Sequence, residues 1–180
     1  MFYLRVVQNH KHFTIADFNV DQVRKACTSH DASPPSVYKV HSKAAADRIA
    51  TLYCMSIRER PDNLDYVLIP CEILESLGLD AEPDPGDIKH PLLEQSHHEI
   101  KGLVHPENLN RLINVIERRG IEGKRLYRGE LAQLASVELC DSQNQGFAQG
   151  LVEGKAKWLI GATNVTCPSP KTSSADTPAR

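Results

Sequence analysis

Between Val37 and Leu79 the apolar pattern changes period from strand to helix and back, and this constrains the fold more than any other stretch. Val37-Tyr-Lys-Val40 reads as a short strand. Ser42 then stands at a helix N-cap position, and residues 43–58 follow a helical pattern. At about 100° per residue, Ala45, Ile49, Tyr53 and Ser56 fall along one face, which Ala46, Ala50, Leu52 and Ile57 widen on both sides. Lys43, Asp47, Thr51 and Arg58 fall opposite. An apolar stripe this broad suits a helix laid over a sheet. The Ser42 hydroxyl can accept a first-turn amide, worth about 1 kcal/mol, and Pro61 stops the helix because proline cannot continue it. Leu64 to Ile69 is the second strand. Pro70 closes it and opens a short helix from Cys71 to Leu77, which Gly78 and Leu79 terminate. A strand, a long helix and a second strand predict a parallel pair joined by a right-handed crossover.

The expected fold class is α/β, or α+β. It comprises a small mixed sheet covered by the central amphipathic helix, followed by a mostly helical C-terminal half. Phe2–Val7 and His12–Phe18 read as a hairpin, and a helix starting at Asn19 or Asp21 follows it. Residues 1–79 form the α/β core. Residues 80–91 hold Pro83, Pro85, Gly86 and Pro91 among acids, which predicts an acidic, proline-rich loop. Residues 92–162 form a mostly helical region packed on that core. His90-Pro91 and His105-Pro106 each open a helical pattern there, with Gly102 and Gly120 closing them. Pro106 to Arg119 carries the clearer stripe, Leu109, Leu112, Ile113 and Ile116, and Glu130 to Leu139 is a further helix. Gly146, Gly150 and Gly154 fit either a close-packed helix face or a hairpin. Residues 163–180 are rich in Ser, Thr and Pro and read as a disordered tail.

The apolar fraction of 41% and charged fraction of 24% are those of an ordinary globular chain. No apolar run approaches the ~20 residues of a membrane helix. The N-terminal apolar run is too short for a signal peptide. Cys27, Cys54, Cys71, Cys140 and Cys167 are odd in number and contain no C-x-x-C pair. Together these features read as a soluble cytoplasmic protein. The net charge of −2 is unevenly placed. Residues 61–100 carry one basic side chain, Lys89, against ten acidic ones, and residues 101–180 carry eleven basic against eight acidic. Acidic and basic poles of this kind can guide association, including a homodimer in which unlike poles meet.

No complete catalytic motif is present, which points away from an enzyme. There is no G-x-S-x-G elbow, P-loop or G-x-G-x-x-G, so no cofactor is implied. His12-Phe-Thr-Ile15 matches half of the paired motif of two-histidine phosphoesterases, and no second half accompanies it. Tyr127-Arg-Gly129 is similar to a short motif of ADP-ribosyltransferases, without that family's further motifs. His90, His97, His98 and His105 lie within sixteen residues with Glu94 and Glu99 between them, the candidate ligands for a metal-dependent hydrolase. Solvated surface histidines are the simpler expectation.

The stretch Arg111 to Arg128 is the most suggestive. Arg111, Arg118, Arg119, Lys124, Arg125 and Arg128 stand there against Glu117 and Glu122. Helix, Gly120 turn and second helical start give the outline of a helix-turn-helix, although Gly123 and Gly129 weaken the second element. These cations can bind a protein partner, contact nucleic-acid phosphates, or pair with the acidic segment of the same chain. The resulting expectation is a binding or adaptor protein acting through protein–protein contacts, with a nucleic-acid-binding regulator and the histidine-based hydrolase as alternatives.

Overall fold

The computed structural model describes residues 1–7, 35–57, 63–85 and 90–141. The elements are β1 (Phe2–Val7), β2 (Ser36–Val40), α1 (Lys43–Ile57), β3 (Asn63–Pro70), α2 (Cys71–Ser76) and β4 (Glu82–Pro83). After these come α3 (Pro91–Ser96), β5 (His97–Glu99), a 3-10 turn (Lys101–Val104), α4 (Pro106–Arg119), β6 (Glu122–Tyr127) and α5 (Arg128–Cys140). The α/β class is as the pattern predicts. The expected second hairpin strand, the helix after it, His12, the glycines at 146, 150 and 154 and the C-terminal tail all lie outside the described residues.

The six strands form one sheet in the order β4-β5-β2-β1-β3-β6, and every pairing is antiparallel. β2 and β3 do run in the same direction, as a crossover through α1 requires. They are not paired, because β1 lies between them and is antiparallel to both. The C-terminal half adds strands as well as helices: β5 pairs with β2, and β6 pairs with β3.

Helices cover both faces. Leu4, Val6, Tyr38, Val40, Leu64, Tyr66 and Leu68 point to one face, where α1, α3 and α5 pack through residues such as Leu52, Leu93 and Leu131. Tyr3, Val37, Val67 and Ile69 point to the other, under α2, the 3-10 turn and α4. The two-residue alternation of each strand sorts its side chains between these cores. β3 is covered on both sides, which explains its unbroken burial from Leu64 to Ile69.

Ser42 caps α1 as its type suggests, with the Ala45 amide donating to Oγ at 3.1 Å. The supposed polar face of α1 departs from expectation, since residues 51–55 are all buried. Thr51 is inside because its hydroxyl donates to the Asp47 carbonyl at 2.8 Å, so its polar atom has a partner within the helix. At the end of α2, Gly78 takes a φ of 67°. The Leu79 amide then donates to the Leu74 carbonyl, and Leu79 joins the core. The helical pattern expected from Pro91 to Gly102 is broken after one and a half turns by β5, whose ladder with β2 outweighs local propensity. Among the described residues no helix is long and apolar enough to cross a membrane. Cys54 and Cys71 are buried thiols, whereas Cys140 is disulfide-bonded.

Candidate partner-binding surface

Gly120 decides the geometry of the basic stretch. Its φ of 75° is a conformation that a side chain would strain, and it ends α4 with its amide on the Ile116 carbonyl. The chain then enters β6 rather than a second helix, so the helix-turn-helix outline does not form. In β6, Lys124 and Leu126 face α1, and Arg125 faces the opposite side of the sheet. Gly123 lowers helix propensity at the point where the alternating pattern begins.

This alternation separates the six basic residues into two groups. Arg125 lies opposite Asp65 in the β3–β6 ladder and grips its carboxylate with two bonds, Nε to Oδ1 at 2.6 Å and Nη2 to Oδ2 at 2.5 Å. The side chains are 11% and 4% exposed, so the pair is largely shielded from water. The hydrogen bond to Asp65 holds the guanidinium pKa above its ordinary value. Lys124 reaches Asp47 of α1, with Nζ 2.9 and 2.8 Å from the two carboxylate oxygens. The Tyr66 hydroxyl donates to the same carboxylate at 2.7 Å. Burial first, and then the bond to Asp47, push the Tyr66 hydroxyl pKa well up. One helical turn before Asp47, Lys43 pairs with Glu122 at 2.8 Å. Helix positions 43 and 47 therefore match strand positions 122 and 124, and together they tie β6 to α1.

Arg111, Arg118, Arg119 and Arg128 form the other group. All four are exposed, and none makes an ion pair among the described residues. Arg111 only donates to Asn108, at 3.4 Å. Arg118 and Arg119 occupy the last turn of α4, where cations also suit the helix dipole. Arg128 begins α5 directly after β6. Guanidinium groups thus stand before and after an outer strand that ends in Tyr127, a tyrosine 60% exposed. Pairing with the acidic segment of the same chain is real for one cation, Arg125 with Asp65.

The histidines are placed apart. His90 accepts the Leu92 amide on Nδ1 at 3.2 Å and so caps α3. His97 and His98 are consecutive in β5 and face opposite sides. His97 lies edge-on to Tyr38 at 5.3 Å, and its Nδ1 meets the Asp84 carbonyl. His98 packs against Tyr3 at 5.9 Å, and its Nδ1 meets the Ser96 carbonyl. His105 is exposed at the start of α4. Three of the four are buried rather than solvated as expected, because each ring finds a backbone partner. Among the described residues no three His, Cys, Asp or Glu side chains converge as metal ligands.

Sequence reasoning missed Asp47, Asp65 and Tyr66 as partners, and Tyr127 as an exposed aromatic at the edge. The one signal available was the alternation of Glu122, Lys124 and Leu126 after a helix-ending glycine. No family model matches this chain, and searches of curated proteins and of solved structures found no similar protein.

Proposed function

We propose that this is a binding or adaptor protein that acts through protein–protein contacts, and that an acidic segment of its partner docks at Arg111, Arg118, Arg119 and Arg128. The observation that supports this reading is the separation of the basic residues. Lys124 and Arg125 are held by Asp47 and Asp65, while Arg111, Arg118, Arg119 and Arg128 remain exposed, the last three next to β6 in the chain. Guanidinium groups suit carboxylates because they can donate two parallel hydrogen bonds. A nucleic-acid partner would use the same arginines, but the element after Gly120 is an edge strand and not a helix that could enter a groove.

Fluorescence anisotropy of the full chain tests the reading. One probe is a labelled Glu-rich peptide and the other is a single-stranded DNA oligonucleotide of equal charge. The expected result is peptide binding that weakens with salt and is lost in Arg118→Glu/Arg119→Glu/Arg128→Glu. Tighter binding of the oligonucleotide, or peptide binding that survives these substitutions, overturns it.

A further inference from the structure

Among the described strands, the two outer ones, β4 and β6, differ in whether another chain could pair with them. β4 is two residues long and contains Pro83, which has no amide to donate. Carboxylates line that side: Glu82 and Glu99 are opposite one another, and Asp84 follows. β6 is six residues long, has an amide at every position, and is hydrogen-bonded to β3 alone among the described strands. An antiparallel strand of this length presents a row of alternate amides and carbonyls about 20 Å long on its outer side. Natural edges of this length are usually protected, often by lysine or by bulges that prevent self-pairing.

Here the protection is selective. Arg125, largely shielded from water, and Lys124, partly exposed, are both already paired, with Asp65 and Asp47, so an incoming strand meets no unpaired cation within β6. The exposed arginines stand at the two ends, Arg118 and Arg119 before the strand and Arg128 after it. A second copy of β6 would bring its own flanking arginines against these. An extended segment carrying carboxylates would meet opposite charge at both ends. Tyr127 is placed at one end as an aromatic anchor.

We infer that β6 is an open strand edge that takes up an extended, acidic segment of a partner protein by antiparallel strand addition. Backbone hydrogen bonds would give affinity, and the flanking arginines would give specificity. The inference rests on the acidic-partner reading above and adds how that partner is held.

The experiment compares three labelled eight-residue probes with the intact chain. The first alternates Glu and Val, the second alternates Lys and Val, and the third is the Glu/Val peptide N-methylated at every second amide. N-methylation removes strand donors and leaves charge unchanged. The Glu/Val peptide binds, the Lys/Val peptide does not, and N-methylation weakens binding by about tenfold or more, as loss of several backbone hydrogen bonds predicts. Arg118→Glu/Arg119→Glu/Arg128→Glu abolishes binding while leaving the circular dichroism spectrum unchanged. Equal binding of the plain and N-methylated acidic peptides overturns strand addition and leaves the acidic-partner reading standing. If neither binds, both fall. A dimer in sedimentation of the protein alone at tens of micromolar, dissociated by the Glu/Val peptide, also overturns the inference, because a second copy would then be the edge's occupant.

Discussion

β4 and β6 flank the same sheet, yet β4 contributes two residues, one of them Pro83, and β6 contributes six with an amide at each. The anchoring of the two edges differs as well. β4 is held by Lys101 to Glu82 at the surface and by His97 to the Asp84 backbone. β6 is held by a largely shielded bidentate pair on one face and by the Asp47, Tyr66 and Lys124 group on the other. The lesson is about where charge is spent. An edge that must stay closed to other strands can use a proline, a short strand and exposed acids. The β6 edge is held from its inner side by ion pairs with β3 and α1.

The largest expected effect tests this contrast in anchoring. Asp65→Ala leaves the Arg125 guanidinium largely shielded from water without its carboxylate, which costs about 3–5 kcal/mol. Urea denaturation measures it, with Glu82→Ala as the counterpart at the β4 edge, where the exposed pair should leave the midpoint almost unmoved. Equal losses at both edges would erase the distinction. The paired substitution Asp65→Leu/Arg125→Met should recover most of the loss, since an apolar pair of similar size needs no desolvated charges.

A smaller loss is expected on the other face of β6. Asp47→Ala removes the acceptor of the buried Tyr66 hydroxyl, a cost of about 1–3 kcal/mol. Asp47→Asn keeps an acceptor for Tyr66 and should lose less. If the two variants are equally destabilised, the Lys124 charge pair dominates over the tyrosine bond.

Alkali should loosen the same anchor. The unfolded Tyr66 hydroxyl ionises near its ordinary 10.0, while the folded one is held well above it by burial and by Asp47. Between those values unfolding releases a proton, so the stabilisation is complete below pH 10.0 and is lost as pH rises further. Burial raises Tyr38 in the same direction. Denaturant midpoints measured across that range should fall, and Tyr66→Phe should make the fall shallower. An unchanged slope in that variant would remove Tyr66 as a source of the alkaline loss.

Hydrogen exchange gives the smallest signal and the most direct view of the edge. In β6 alternate amides should be protected, those facing β3, while every second one exchanges quickly. β3, and β1 from Phe2 to Leu4, have a paired strand on each side and should be protected there. The Glu/Val peptide should slow the fast set in β6. Uniform protection of β6 in the free protein would mean that its outer side is already occupied.

Much of the fold was legible because local patterning and tertiary packing agree there. Ser42 caps α1, Pro106 to Arg119 is a helix with those bounds, and Gly78 with Leu79 ends α2 as their types indicate. Apolar period and capping chemistry act within a few residues, so the sequence alone determined these elements. It also determined that β2 and β3 run the same way, since a helix as long as α1 returns the chain to its starting side. Only the tertiary structure placed β1 between them, because strand order depends on which edges bury the most surface when all strands are present. The same holds for the basic stretch. The sequence set six cations near one another, but whether each is consumed or left for a partner depended on residues 60 and 77 positions away, Asp65 for Arg125 and Asp47 for Lys124. Pairings at that distance carry no local signature. They form because β6 joins the sheet beside β3 and under α1, which brings each cation within reach of its carboxylate.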